Sequence, residues 1–160
     1  MTAWPDPVRR VTAFLEQHGA EVRVEEFAAG THTAQDAADA IGCTLPEIVK
    51  SLVFEGDGRS VLAMVSGDRR ADTAKVARAL EAEKVRTASP ERVRELTGFE
   101  PGAVAPFGLD RVDLVAVDQR LLLNDHVWVG SGSPTHLARL EPAELVRLSR
   151  ATILDLTADP

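Results

Sequence analysis

The stretch Glu47-Ile48-Val49-Lys50-Ser51-Leu52-Val53-Phe54 is followed by Gly56-Asp57-Gly58 and then Ser60-Val61-Leu62-Ala63-Met64-Val65, and its reading decides the fold. Two β-branched, apolar runs on either side of a Gly-Asp-Gly turn signal predict an antiparallel hairpin. Side chains alternate across a strand, which places Lys50 with Ile48, Leu52 and Phe54 on the bulkier, more core-like face. An unpaired ammonium there costs several kcal/mol or sheds its proton. Lys50 therefore needs a carboxylate of the fold, or a phosphate or carboxyl group of a ligand, as partner. The structural alternative is a lysine that snorkels at a strand end. The chain carries 15 Arg against 3 Lys, so a compact ammonium at this position reads as selected rather than drifted into.

Outward from the hairpin, residues 7–17 have the apolar spacing of an amphipathic helix, with Val8, Val11 and Leu15 on one side and His18-Gly19 as its stop. Residues 22–27 alternate weakly as a strand. Thr33 is a predicted N-cap for a helix over 34–41 that ends at Gly42. Beyond the hairpin, Asp72 or Thr73 caps a helix through Val76 and Leu80, and Ser89-Pro90 opens another that stops at Gly98. Short strands are expected over 85–87, 113–117, 126–129 and 135–140, a last helix over 142–148, and a return to the sheet at Ile153-Leu154. Hairpins mixed with isolated helices predict an α+β fold, with a mainly antiparallel, barrel-like mixed sheet flanked by helices.

At 160 residues, with no linker or repeat, the chain is expected to form one domain over 1–160. No segment has the apolar length of a membrane span. The amino terminus lacks the pattern of a secretion signal, so the expected location is the cytoplasm. One cysteine, Cys43, rules out an internal disulfide and argues against a thiolate metal cluster. The net charge of −7 argues against a broad nucleic-acid face, so any such contact has a small footprint.

Two loops stand out. In 97–109, Gly98, Gly102, Gly108, Pro101 and Pro106 fix a backbone with little side chain in the way, which suits either a ligand approaching main-chain N–H groups or a plain turn. In Gly130-Ser131-Gly132-Ser133, backbone and hydroxyl donors could serve a carboxylate, carbonyl or phosphate, or simply a hairpin turn. Neither a phosphate-binding Gly-Lys-Ser/Thr loop nor a Gly-x-Ser-x-Gly elbow is present. His18, His32, His126 and His136 lack metal-ligand spacing; His32 and His136 lie in loops near the other features and are the two candidates to line a pocket.

Together and in this order, Thr31-His32-Thr33, the lysine strand, Val65-Ser66-Gly67-Asp68, Thr97-Gly98-Phe99 through Pro106-Phe107-Gly108, and Val129-Gly130-Ser131-Gly132 resemble the YbaK/ProX family, free-standing relatives of the editing insertion domain of bacterial prolyl-tRNA synthetases. The resemblance implies a hydrolase that cleaves, in trans, the ester joining a wrong amino acid to the 3′ end of tRNA. The implied partners are the acceptor end of mischarged tRNA and an aminoacyl-tRNA synthetase, with no membrane, metal or cofactor. The resemblance and the reading of the residues together assign Lys50, Gly102, Ser131 and Gly132 to catalysis, and His32, Ser51, Ala103, Pro106, Gly108, Gly130, Ser133 and His136 to substrate binding. Departures fall at the pocket rim, at Gly102-Ala103 and Ala105 and in the His136-Leu137-Ala138-Arg139 segment. Deprotonation of the attacking water is expected from the substrate's ribose 2′-OH or from His136. A non-catalytic accessory that binds tRNA or a synthetase, and an ester or amide hydrolase of small metabolites, are the competing readings.

Overall fold

The computed structural model describes residues 4–27 and 33–159. In chain order its helices and strands are α1 (Asp6–Gln17), β1 (Val24–Glu26), α2 (Ala34–Ile41), β2 (Val49–Gly56), β3 (Arg59–Ser66), α3 (Thr73–Leu80), β4 (Arg86–Thr87), α4 (Pro90–Thr97), β5 (Leu114–Asp118), β6 (Val127–Gly130), β7 (His136–Leu140), α5 (Pro142–Ser149) and β8 (Thr152–Leu154). Short 3₁₀ turns occupy Leu45–Glu47 and Gln119–Leu123. The second of these is the apolar run 121–123; the Asp118 carboxylate accepts from the Arg120 N–H and tightens the chain out of a strand there.

Local chemistry explains the element ends. Thr33 accepts from the Asp36 N–H at 3.0 Å and starts α2, and Gly42, at φ +84°, ends it. Asp57 and Gly58 both have positive φ, the geometry whose twist matches a two-residue hairpin, so β2 and β3 pair from Gly56↔Arg59 to Val49↔Ser66.

Two sheets result. One is five-stranded with order β4-β2-β3-β5-β8, antiparallel at β4-β2-β3 and parallel at β3-β5-β8; the other is β1-β7-β6, antiparallel throughout. They meet at a parallel bridge between Ile48 and Trp128, so the expected barrel-like wrap takes the form of two sheets joined at a corner rather than a closed cylinder.

The hairpin is buried on both faces, which revises the expectation of one core-like face. Val49, Val53, Leu62 and Met64 pack toward the second sheet, with Val104, Val127 and Val129. Phe54, Val61, Ala63 and Val65 pack with Val76 and Leu80 of α3, and Leu52 joins them. Lys50 sits at the end of this second face, where the α3 cluster gives way to the loop after β3. Ile48 departs to a third cluster with Trp128, Ala37 and Ala38.

Candidate functional site

Among the described residues, pairing leaves part of β2 uncovered. On one side β3 pairs along its whole length, whereas on the other β4 reaches only Phe54 and Glu55. A cavity of about 280 Å³ lies along the uncovered stretch, lined by Lys50, Ser51, Leu52, Gly102, Gly130 and Phe27, among others. This explains why residues of both β2 faces, Lys50 and Ser51, reach the same space: they border it edge-on. The volume sits at the small end of small-molecule pockets, ~300–1,000 Å³.

Lys50 is partly buried, and its ammonium donates to the Arg69 carbonyl oxygen. The loop after β3 brings that carbonyl into place. The Gly67 N–H donates to the Ile48 carbonyl at 2.8 Å, and a Cβ at Gly67 would stand 2.7 Å from the Leu45 carbonyl oxygen, so only glycine allows the loop to fold back this far. Burial pushes the Lys50 ammonium below its ordinary pKa; the Asp68 carboxylate opposes that shift and the Arg70 guanidinium adds to it. The partner the sequence demanded is thus a backbone carbonyl, with one carboxylate close enough to be felt.

The facing wall is made by the two glycine-bearing loops, which cross each other. A Cβ at Gly130 would lie 2.4 Å from the Val104 carbonyl oxygen, and the Gly132 N–H donates to the Ala103 carbonyl at 3.1 Å. Gly102 has φ +82° with open space where a Cβ would project. Two hydroxyls near this junction, Ser51 Oγ and Ser131 Oγ, are buried without a hydrogen-bond partner among the described residues.

Of the residues singled out from the sequence, Lys50, Ser51, Gly102 and Gly130 line the cavity. Ser131 is fully buried, and Gly132 supports the wall from outside by packing against Pro7. Ala103 is buried, and Pro106 and Gly108 lie farther along the loop, where Gly108 packs beside Phe14. Ser133 and His136 are joined to each other at 2.5 Å, Ser133 Oγ to His136 Nδ1, behind the wall instead of on it. The catalytic candidates Ser131 and Gly132 and the binding candidates Ala103, Pro106, Gly108, Ser133 and His136 are not among the residues that line this cavity. His32 lies outside the described residues. The sequence reading missed Phe27, Thr33, Ala34, Ala37, Pro134 and Leu137 as lining residues. Ala34 and Ala37, three apart on α2, carried a readable signal, a small-residue face at helical spacing.

A strand edge left unpaired among the described residues, an ammonium at its end and a glycine-built opposite wall frame the cavity. The class to which fold and site belong is that of the aminoacyl-tRNA editing domains: the chain matches that family over residues 28–148 and belongs to it. It is 35% identical over 154 residues to the uncharacterized protein YwhH of Bacillus subtilis (strain 168), covering 95% of this chain and 98% of that one. It is 32% identical over 128 residues to the proline–tRNA ligase of Oleidesulfovibrio alaskensis, covering 80% of this chain but 22% of the ligase. Among solved structures, a proposed trans-editing enzyme for prolyl tRNA synthetase superposes with a TM-score of 0.91 at 40% identity, covering 98% of this chain and 100% of that one. No helix among the described residues is long and apolar enough to cross a membrane.

Proposed function

We propose that this protein is a trans-editing aminoacyl-tRNA deacylase, which in the cytoplasm hydrolyses the ester between a wrongly attached amino acid and the 3′ end of tRNA. The observation that carries the reading is the joint placement of Lys50, Ser51, Gly102 and Gly130 around one small cavity at an open strand edge. An aminoacyl ester is already activated, so its hydrolysis asks for orientation, a water molecule and donors to the developing oxyanion. Water adds to the carbonyl carbon, the bond from that carbon to the ribose O3′ breaks, and a proton passes to O3′. Lys50 holds the phosphate or ribose of the terminal nucleotide. The Ser51 hydroxyl, buried without a partner among the described residues, and the main chain at Gly102 serve as donors to the oxyanion; both border the cavity. His136 is off the cavity wall, with its Nδ1 engaged by Ser133, so the vicinal 2′-OH of the substrate relays the proton, taking it from the attacking water as its own hydrogen passes to O3′. Small cavity volume supplies the selection, and because one methylene is worth only ~1–3 kcal/mol, such a site serves as a second sieve behind a synthetase.

The test is release of free amino acid from a panel of mischarged tRNAs, with alanyl, seryl, threonyl and cysteinyl esters included. Catalytic release from at least one supports the reading. Tight tRNA binding without release points to the accessory, and release from small esters but not from tRNA points to a metabolite hydrolase.

A further inference from the structure

The loop that carries the Lys50 partner is tied down at both ends. At its start the Ile48 carbonyl holds the Gly67 N–H, and the Arg69 N–H donates back to the Ser66 carbonyl at 3.1 Å, closing the turn whose Arg69 carbonyl accepts from the Lys50 ammonium. At its far end the loop pairs with the chain that follows β8. Ala71 and Thr157 form an antiparallel bridge, the Asp72 N–H donates to the Leu156 carbonyl at 2.8 Å, and the Ala158 N–H donates to the Arg70 carbonyl at 3.0 Å. The Arg69 carbonyl lies between these two fastenings. Asp68 and Arg70, the charged groups that bear on the Lys50 ammonium, ride on the same loop.

The second fastening is itself anchored by side chains from the rest of the fold. Leu156 and Thr157 are fully buried. Lys75 of α3 donates to the Thr157 carbonyl at 2.7 Å and to Asp155 Oδ2 at 2.9 Å. Arg120 donates to Asp155 Oδ1 and to Thr157 Oγ1, each at 2.9 Å. The buried Asp118 carboxylate, at the end of β5, accepts the Leu156 N–H at 2.8 Å and the Arg120 guanidinium at 3.2 Å. None of these residues lines the cavity. We infer that residues 155–158 form a strap that positions Lys50 from outside the cavity: by fixing the far end of the 67–72 loop, it holds the Arg69 carbonyl and, through it, the ammonium. Lys75, Arg120 and Thr157 are positioning residues, not catalytic ones. The inference rests on the deacylase reading for what Lys50 does to a substrate, but not for how Lys50 is held.

The probe is trace acetylation of the full chain by acetic anhydride, read lysine by lysine by mass spectrometry. Acylation reports how free and accessible each amine is, and exposed Lys84 serves as the internal reference. In Lys75→Met and in Arg120→Met the ratio of Lys50 to Lys84 labelling should rise at least fivefold over wild type. Val93→Ala, which loosens the core at α4 and touches neither loop nor strap, is the control; its ratio should stay within twofold of wild type, with every protein labelled at the same interval below its own Tm. A role in stability alone would move all three variants alike. Single-turnover release of amino acid from mischarged tRNA should fall at least tenfold in both Met variants, because a misplaced group costs rate even when the change lies far from the chemistry. An unchanged ratio in both Met variants, an equal rise in Val93→Ala, or release within twofold of wild type despite a raised ratio would each overturn the inference. A ratio that rises as expected in a protein whose wild type hydrolyses no aminoacyl ester would instead overturn the deacylase reading alone.

Discussion

Replacing Gly102 by alanine separates a strained wall from an unfolded protein. The φ of +82° costs an L-residue roughly 1–2 kcal/mol, and the open space at the Cβ position adds no clash. For a chain of this size that predicts a fall in Tm of about 2–8 °C. Even a protein of only ~5 kcal/mol total stability then stays ~99% folded at room temperature, so unfolding cannot remove much activity. The added methyl and the relaxed backbone act on the cavity wall itself, where a displacement of ~1 Å costs on the order of 10²-fold in rate. Single-turnover deacylation and thermal melting, run on the same preparation, give the two numbers. Gly130→Ala is the contrast: its Cβ would stand 2.4 Å from the Val104 carbonyl oxygen, so backbone must move and stability and activity fall together. A Gly102→Ala protein with nearly wild-type rate, or with a rate loss matched by its unfolded fraction, would refute the placement of Gly102 on the reactive wall.

Because burial lowers the Lys50 pKa, the folded state disfavours its charged form; Lys50→Met should leave Tm unchanged or raise it, as thermal melting at pH 7 would show. The same shift predicts that activity falls on the alkaline side at a lower pH than an ordinary lysine would give, and that this limb vanishes from the residual activity of Lys50→Met. Asp155 is held at about 2, below its ordinary 3.8, first by the hydrogen bond from Arg120 and then by that from Lys75. A depressed carboxyl pKa contributes stability that is complete above its unfolded value and fades as pH falls toward 2, so Arg120→Met should flatten the acid limb of a Tm–pH profile between about 4 and 2. Lys50 stands beside Arg69 and Arg70, so tRNA binding should have the salt slope of about one to three phosphate contacts, and Arg69→Gln with Arg70→Gln should reduce it by ~0.7 per charge lost.

Much of this was readable in the residues because the signals were local. Thr33 and Gly42 bound α2, Asp57-Gly58 closes the hairpin, and Ser89-Pro90 and Gly98 bound α4, each through chemistry within a few residues. Alternation identified Lys50 as out of place on its strand, but it could not show that the larger core lies on the opposite face, since that depends on where β6 and β7 pack. The site was legible in outline only. Ser51 reaches the cavity because β4 stops at Phe54 and Glu55, a tertiary fact with no trace in the 48–54 pattern. Ser133 and His136 looked like pocket residues because they follow a glycine-rich loop. Neither lines the cavity; Ser133 Oγ meets His136 Nδ1 instead, a contact no spacing rule encodes.

The proposed cleavage of mischarged-tRNA esters in the Lys50 cavity turns on the Lys50 ammonium. Its most direct measurement is single-turnover release of the amino acid from the best-cleaved mischarged tRNA by wild-type protein and by Lys50→Ala, with melting curves for both. The expected result is release by the wild type and a loss of ~10²-fold or more in a Lys50→Ala protein that melts no lower. Equal rates for the two folded proteins would contradict it.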